Sequence, residues 1–340
     1  MSNKPPIEVP QGAIRLNTDS QRLEFFAQDR WYEMATEEAS GLGGRGFRCA
    51  GHGSGGNNVI EVFNIATLGN SHDTGFDLHQ STSQGGSASS RTRAVLGGAY
   101  TGGGYGQTYI QYFEMNALTN SIDFGDLTVQ MGRNAGQSNN TRALFFGAVS
   151  NVNNVINFIT IASTGDATDF GDMSTQFEGP TGLGNRTRAV IAGGQGPNPY
   201  PMLNNIEFVT IASTGNGVDF GDLTAKRTSP MGLSNSTRGL IMCGNTSGAN
   251  SNAIDFINIA TTGNGQDFGD VAEAGQMGGT VSNATRGVFF GGYKVASPNA
   301  INSMQFVTIA TTGNSMFFGD LGSEGGNGIV GVCDSHGGVI

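Results

Sequence analysis

Residues 206–222 read IEFVTIASTGNGVDFGD and residues 237–244 read TRGLIMCG, and the chain returns to this pair of phrases along most of its length. The first phrase opens on an apolar, β-branched run whose counterparts begin at Ile60, Ile110, Ile156, Ile254 and Met304. It closes on Asp-Phe-Gly-Asp, repeated at 123–126, 169–172 and 267–270, with Phe-Phe-Gly-Asp at 317–320. The second phrase, Thr-Arg followed by Ala or Gly and an apolar run, recurs at Arg93, Arg142, Arg188 and Arg286.

The spacing between the phrases is fixed. From the closing Asp to the Arg is 16 residues in Asp77–Arg93, Asp126–Arg142, Asp172–Arg188, Asp222–Arg238 and Asp270–Arg286. Paired strands and tight turns tolerate no insertion, so constant spacing predicts strands joined by short turns. Length varies only between the Arg run and the next Ile run, at 17, 14, 18, 16 and 18 residues. Loops absorb such variation, and they carry binding surfaces more often than strands do.

Alternation supports the strand assignment. In Ile206–Ile211 the Phe points one way while Val209 and Ile211 point the other, so both faces carry apolar groups. Gly239–Gly244 encloses a continuous apolar run, as expected of a strand buried on both faces. No window keeps a helical apolar stripe with caps. A repeat of roughly 48 residues suits a four-stranded blade, and the array predicts an all-β propeller.

Extending the 16-residue rule to the ends sets the expected blade count. His336 lies 16 residues after Asp320, Arg45 lies 16 after Asp29, and Ile14 lies 15 before Asp29. The N-terminus then reads as half of a blade and the C-terminus as the other half. The expectation is seven blades over 12–340 behind a tail of 1–11, with 12–36 and 321–340 pairing as the closing blade. Six blades plus an N-terminal hairpin is the alternative. Closure of this kind removes exposed sheet edges.

Composition agrees. There are 56 glycines in 340 residues with no collagen period, and only 13% charged residues, which suits many short strands and turns. A net charge of −10 argues against a surface that tracks nucleic-acid phosphates. Three cysteines are too few and too scattered for a disulfide framework. No run approaches 18 apolar residues, so no membrane-spanning helix is expected, and the polar N-terminus does not read as a signal peptide.

The repeat resembles the kelch family of propellers, with Ala192-Gly-Gly194, Asn204-Asn205, Phe208 and Asp219–Asp222 in the corresponding places. It departs from that family in lacking the outer-strand Trp, a place held by Phe124, Phe170, Phe220 and Phe268. Residues 12–26, GAIRLNTDSQRLEFF, followed by Trp31-Tyr-Glu-Met34, resemble a β-hairpin recurrent in tail-fibre and other virion proteins of tailed phages. The Gly-rich repeat with Phe-Gly-Asp and Thr-Arg-Gly also looks like virion structural proteins of marine phages. These resemblances imply a non-enzymatic structural role in a fibre, neck or baseplate, within a larger symmetric assembly. The implied partners are other virion proteins and a host-surface glycan, and the implied location is the virion, after synthesis in the host cytoplasm. A propeller glycosidase and a cellular kelch-type interaction protein are the competing readings.

Candidate sites divide into repeated and unique residues. Asp77, Asp126, Asp172, Asp222, Asp270 and Asp320, with Arg45, Arg93, Arg142, Arg188, Arg238 and Arg286, recur too regularly for a single active site. Charges losing solvent need partners. Each Arg is therefore expected to bond an acceptor on an outer strand or turn of its own or the next blade, with Asp favoured. Asn139, Asn185, Asn235 and Asn283 precede Thr-Arg and read as turn-bonding residues. The four histidines have no metal-ligand spacing, and neither a metal nor a cofactor is expected. The unique residues fall in the six elastic loops: Tyr100, Tyr105, Tyr109, Tyr200, Tyr293, Lys294 and His52. Tyrosine offers flat apolar area with a hydroxyl, which suits sugars or protein partners.

Overall fold

The computed structural model describes residues 9–17, 22–33, 44–51, 58–100, 106–147, 154–297, 299–323 and 325–335. The chain divides into two compact units, Met1–Leu42 and Gly43–Ile340. Among the described residues all regular structure is β.

In the first unit, strands Ile14–Asn17, Arg22–Ala27 and Arg30–Glu33 form a three-stranded antiparallel sheet of their own. Gln28 and Asp29 turn the second hairpin with φ of 49° and 59°. A two-residue loop with both φ positive matches the right-handed twist of the flanking strands. Trp31 packs edge-on to Phe26, and the Arg15 guanidinium lies 4.1 Å from the Trp31 ring centroid.

The second unit is six four-stranded antiparallel sheets, here numbered as blades 1–6 in chain order. Blade 3 is typical. Its inner strand is Thr181–Gly184, followed outward by Arg188–Ala192, Asn205–Thr210 and Val218–Asp222. Blades 1, 2, 4 and 5 begin with inner strands Gly86–Ser89, Ala135–Ser138, Met231–Ser234 and Gly279–Ser282. Blade 6 is composite: the C-terminal strand Val330–Cys333 is innermost and pairs with Arg45–Cys49, which leads out to Val59–Asn64 and His72–Asp77. This blade-like, all-β arrangement fits a β-propeller.

Among the described residues, the closing blade expected from 12–36 and 321–340 does not form. Arg45–Cys49 is a second strand that lacks an inner neighbour from its own segment, and Val330–Cys333 supplies it in register, Val330 opposite Cys49 and Cys333 opposite Gly46. Ile14–Glu33 is satisfied locally by its own hairpins. The topology matches the six-blade alternative with a separate N-terminal sheet. His336 lies outside the described residues.

Three sets of contacts recur at each boundary between blades and lead back to blade 1. The repeated arginines form the first. Arg93, Arg142, Arg188, Arg238 and Arg286 each donate from Nη1 to a backbone carbonyl in the next blade: Ile161, Ile211, Ile259, Ile309 and Ile65, at 2.8–3.1 Å. Arg45 of blade 6 donates to Asn116 Oδ1 of blade 1 at 2.7 Å. In blades 1–5 each guanidinium also covers an aromatic ring of its own blade, as Arg188 covers Phe208 at 4.4 Å. That ring in turn meets the outer-strand Phe edge-on, as Phe208 meets Phe220.

The second set uses the backbone of the repeated aspartates. The Asp77, Asp126, Asp172, Asp222, Asp270 and Asp320 amides donate to Asn120, Asp166, Asn216, Asn264, Asn314 and Asn70 side chains of the following blade, at 2.9–3.1 Å. The Gly before each Asp in blades 1–5 is forced by this approach. A Cβ on Gly221 would lie 2.5 Å from the Gly263 carbonyl oxygen, and its φ of +146° is disfavoured for other residues.

The third set is buried. The third-strand positions Glu61, Gln111, Asn157, Glu207, Asp255 and Gln305 are at most 4% exposed. Each accepts a backbone N–H from the segment that leaves the preceding blade: Ser323, Gln80, Thr128, Ser174, Thr224 and Ala272, at 2.7–3.1 Å. These bonds satisfy amides that would otherwise be buried without partners. Between the polar contacts lie six apolar clusters, most of them bridging two neighbouring blades; one joins Phe47, Cys49 and Val62 to Ala94, Leu96 and Phe113.

Candidate functional site

Strand direction fixes which segments share an end of the blades. The second strand runs from its Arg toward the elastic loop, and the third runs back. The loops between them therefore emerge at the same end as the segments leading from each outer strand to the next inner strand. Those connecting segments meet around a cavity of about 120 Å³ lined by residues from all six blades.

The cavity's rim is a set of six residues, each two positions before an inner strand: Gln84, Arg133, Gly179, Ser229, Met277 and Gly328. All six adopt the left-handed conformation, with φ from 52° to 71°. Four of them are not glycine, and each of those holds strain of about 1–2 kcal/mol. Their backbones are linked in a circuit. Gln84 N donates to Gly328 O at 3.0 Å, Gly328 N to Met277 O at 2.8 Å, and Met277 N to Ser229 O at 3.2 Å. Ser229 N then donates to Gly179 O at 2.9 Å and Gly179 N to Arg133 O at 2.8 Å. A side chain makes the sixth link, Arg133 Nε donating to Gln84 Oε1 at 2.8 Å.

Arg133 is the charged member of this rim. Its Nη1 lies 2.7 Å from Glu178 Oε1, a carboxylate only 5% exposed, and its guanidinium carbon is 5.5 Å from the Tyr100 ring. Of these groups, Arg133 and Gln84 line the cavity, while Glu178 and Tyr100 engage the Arg133 guanidinium. That lining can hydrogen-bond a polar ligand.

Outside the rim, the elastic loops of blades 3, 4 and 5 continue the same face. Each is narrowed by a bridge, Gln195–Met202, Asn245–Asn250 and Tyr293–Ala300. Neighbouring loops touch: Ser247 N lies 3.2 Å from Met202 Sδ, and Val295 N donates to Asn250 Oδ1 at 2.8 Å. Tyr200, at φ +60°, presents an exposed ring on the blade 3 loop. Tyr293 is half-buried and bonds Asn299 through its hydroxyl. Lys294 is ion-paired with Glu273, which Ser303 also contacts. Burial acts to raise the Glu273 pKa, but the Lys294 and Ser303 contacts outweigh it and hold the carboxyl below its ordinary value.

The tyrosines expected as loop ligands are therefore dispersed. Tyr100 reaches the rim, Tyr200 and Tyr293 with Lys294 lie on the loop face, and Tyr109 lies within the third strand of blade 1, Gln107–Glu114. The Tyr109 hydroxyl donates to Ser81 O at 3.1 Å, and burial pushes its pKa above the ordinary value. Tyr105 and His52 lie outside the described residues.

The repeated charges occupy the blade boundaries, with a difference from expectation. Five of the six arginines bond carbonyls in the neighbouring blade, where Asp was the favoured acceptor. Among the described residues, carboxylates serve Arg45, through Asp334 at 2.7 Å, and Arg93, through Glu114 at 2.6 Å. The carboxyls of Asp77, Asp126, Asp172, Asp222 and Asp270 are in exposed residues, while their backbones do the bonding. Asn139, Asn185, Asn235 and Asn283 accept from the Arg amide three residues on, at 2.7–2.9 Å. Two of the buried thiols are held protonated by their burial. Desolvation raises Cys49 to about 12 and Cys243 to about 11.

Two features escaped the reading of the sequence. The rim position holds Gln, Arg, Gly, Ser, Met and Gly, so no residue type marks it; only its fixed offset from the inner strand does. The buried third-strand acceptor was visible as one polar residue at the same register in every repeat. No protein-family model matches the chain, and no curated protein matches it in sequence.

Proposed function

We propose that this chain is a non-enzymatic, kelch-like, six-bladed propeller module of a phage virion, part of a fibre, neck or baseplate. In this reading the blades are a rigid scaffold that docks on other virion proteins. The loop face around Tyr200, Tyr293 and the Arg133 rim contacts a host-surface glycan. The observation that carries the reading is the pairing of a short N-terminal sheet, whose sequence resembles a virion hairpin, with a repeat in which the recurring Asp and Arg serve the blade boundaries.

The chemistry of the rim supports binding over catalysis. Glu178, the carboxylate beside the rim, is already engaged by Arg133 at 2.7 Å. A glycosidase needs two carboxyl groups converging on one bond, one of them held as an acid. Exposed tyrosine and amide side chains instead suit weak, repeated recognition of sugars, which a symmetric particle multiplies through avidity.

Mass spectrometry of purified phage particles tests the location. The polypeptide is expected at a fixed stoichiometry with known virion components, and its absence from particles would contradict the proposal. A glycan array probed with the whole protein tests the ligand. Binding that is lost in Tyr200→Ala supports the loop face, and binding that survives both Tyr200→Ala and Arg133→Gln contradicts it.

A further inference from the structure

We propose that blade 6 holds a buried binding site for a small monovalent anion of the halide class, built on Arg48 and the two segments that enter and leave the blade. The proposal stands independently of the virion reading.

The repeat supplies its own controls. On the second strand, the residue opposite the buried third-strand acceptor is Leu96, Phe145, Ile191, Ile241 and Phe289 in blades 1–5. Blade 6 has Arg48 there, opposite Glu61, and both are at most 2% exposed. Neutralising Glu61 does not account for the guanidinium. Glu207 sits at the same register in blade 3, opposite Ile191, and is satisfied by Ser174 N and Oγ, each at 2.8 Å. The Glu61 oxygens are likewise taken by the Ser323 and Gly322 amides and the Ser71 hydroxyl.

Arg48 Nε and Nη1 have no hydrogen-bond partner. By contrast, the buried Arg227 bonds Asp255 at 2.8 Å and Ala253 O at 3.0 Å. Among the described residues, nine buried side-chain polar atoms lack a partner, and six of them gather at blade 6. They are the two Arg48 nitrogens, Thr82 Oγ1, Ser83 Oγ, Ser323 Oγ and Asn327 Oδ1. Gly51 shows how close these residues come. Its amide donates to Thr82 O at 3.2 Å, and a Cβ on it would lie 3.5 Å from Arg48 Nη2 and 3.7 Å from Asn327 O. Ser83 Oγ closes on Gly328, the residue after Asn327. Ser323 bonds Glu61, the cross-strand partner of Arg48.

Five of these six atoms can donate a hydrogen bond, and rotation of the Asn327 amide offers its Nδ2 as a sixth donor. A guanidinium stays protonated inside a protein, so the group missing from this cluster is an acceptor that carries negative charge. Desolvation pulls the Arg48 pKa below its ordinary value, and the nearby Glu61 charge only partly opposes it. An ion entering the site must shed its water, at a cost that grows steeply with its charge. A halide therefore suits the site better than sulfate or phosphate. Bound there, the anion ties Thr82 and Ser83, which lead out of blade 6, to Asn327, which leads in, and braces the composite blade.

Crystals of the whole chain soaked in sodium bromide, with diffraction collected at the bromine edge, test the proposal. An anomalous peak is expected within hydrogen-bonding distance of the Arg48 guanidinium in the wild type, and none there in Arg48→Ile. That variant copies the Ile191–Glu207 pair of blade 3, so it should fold. Thermal melts in sodium chloride, against sodium gluconate at equal ionic strength, should show a Tm that rises with chloride concentration in the wild type alone. Ordered water at Arg48 in place of bromide, or bromide at other positions as an adventitious ion only, overturns the proposal. A chloride response that survives in Arg48→Ile overturns it equally, and if that variant fails to fold the wild-type bromide map decides.

Discussion

At the residue scale, backbone proximity decides more than side-chain chemistry. Gly221 is required because its α-carbon faces the Gly263 carbonyl of the next blade, with no room for a methyl group. Gly221→Ala is expected to lower stability by about 2–3 kcal/mol, combining strain with a forced separation of two blades. Equilibrium urea denaturation measures this. The rim residues predict the opposite sign. Ser229 holds φ of 53° without being glycine. Ser229→Gly should therefore stabilise the protein by about 0.5–1 kcal/mol, read as a rise in urea midpoint with unchanged slope. The Phe-Gly-Asp glycine was legible in the sequence because it recurs with its neighbours. The rim was not, because strain there is imposed on whatever residue occupies the site.

At the scale of elements, five of the six blade boundaries join a stacked guanidinium to a backbone carbonyl across the gap. Arg188 over Phe208, bonded to Ile259 O, represents the set. Arg188→Met keeps the apolar stem but loses the hydrogen bond and the cation–π contact, with an expected cost of about 1–3 kcal/mol by the same denaturation measurement. Arg188→Lys should recover only part of it, since an ammonium cannot stack as a plane while donating across the gap. The spacing of Asp and Arg disclosed that both belong to the scaffold. It could not disclose the acceptor, because a carbonyl oxygen leaves no mark in a sequence.

The blade 5 loop gives a pH-dependent counterpart. Glu273 has its pKa held below the ordinary 4.5 in the folded protein. Its contribution is therefore fully present above the unfolded value and is lost as pH falls through the lower folded one. Amide exchange at Lys294 and Asn299, corrected for the intrinsic pH dependence of exchange, is expected to become less protected as pH falls below about 4.5. Protection there should be flat between pH 6 and pH 8. Glu273→Gln should remove that acid dependence.

At the scale of the whole molecule, the repeat length and the all-β class were legible from the constant spacing. The blade number was not. The interval from Asp29 to Arg45 obeys the same rule as the true repeats, yet Ile14–Glu33 forms a separate sheet. Spacing along a chain describes a blade's interior but cannot say which distant strand completes it. That depends on Val330–Cys333 finding the free edge of Arg45–Cys49, a pairing across nearly the whole sequence.

The composite sixth blade is the central claim, and native-state hydrogen exchange on a chain beginning at Gly43 tests it most directly. The shortened protein should still unfold in one cooperative transition, with slow exchange at the paired amides of Arg45–Cys49 and Val330–Cys333. If those amides exchange freely once residues 1–42 are removed, or the shortened chain fails to fold, then the N-terminal segment completes a blade and the six-blade account is contradicted.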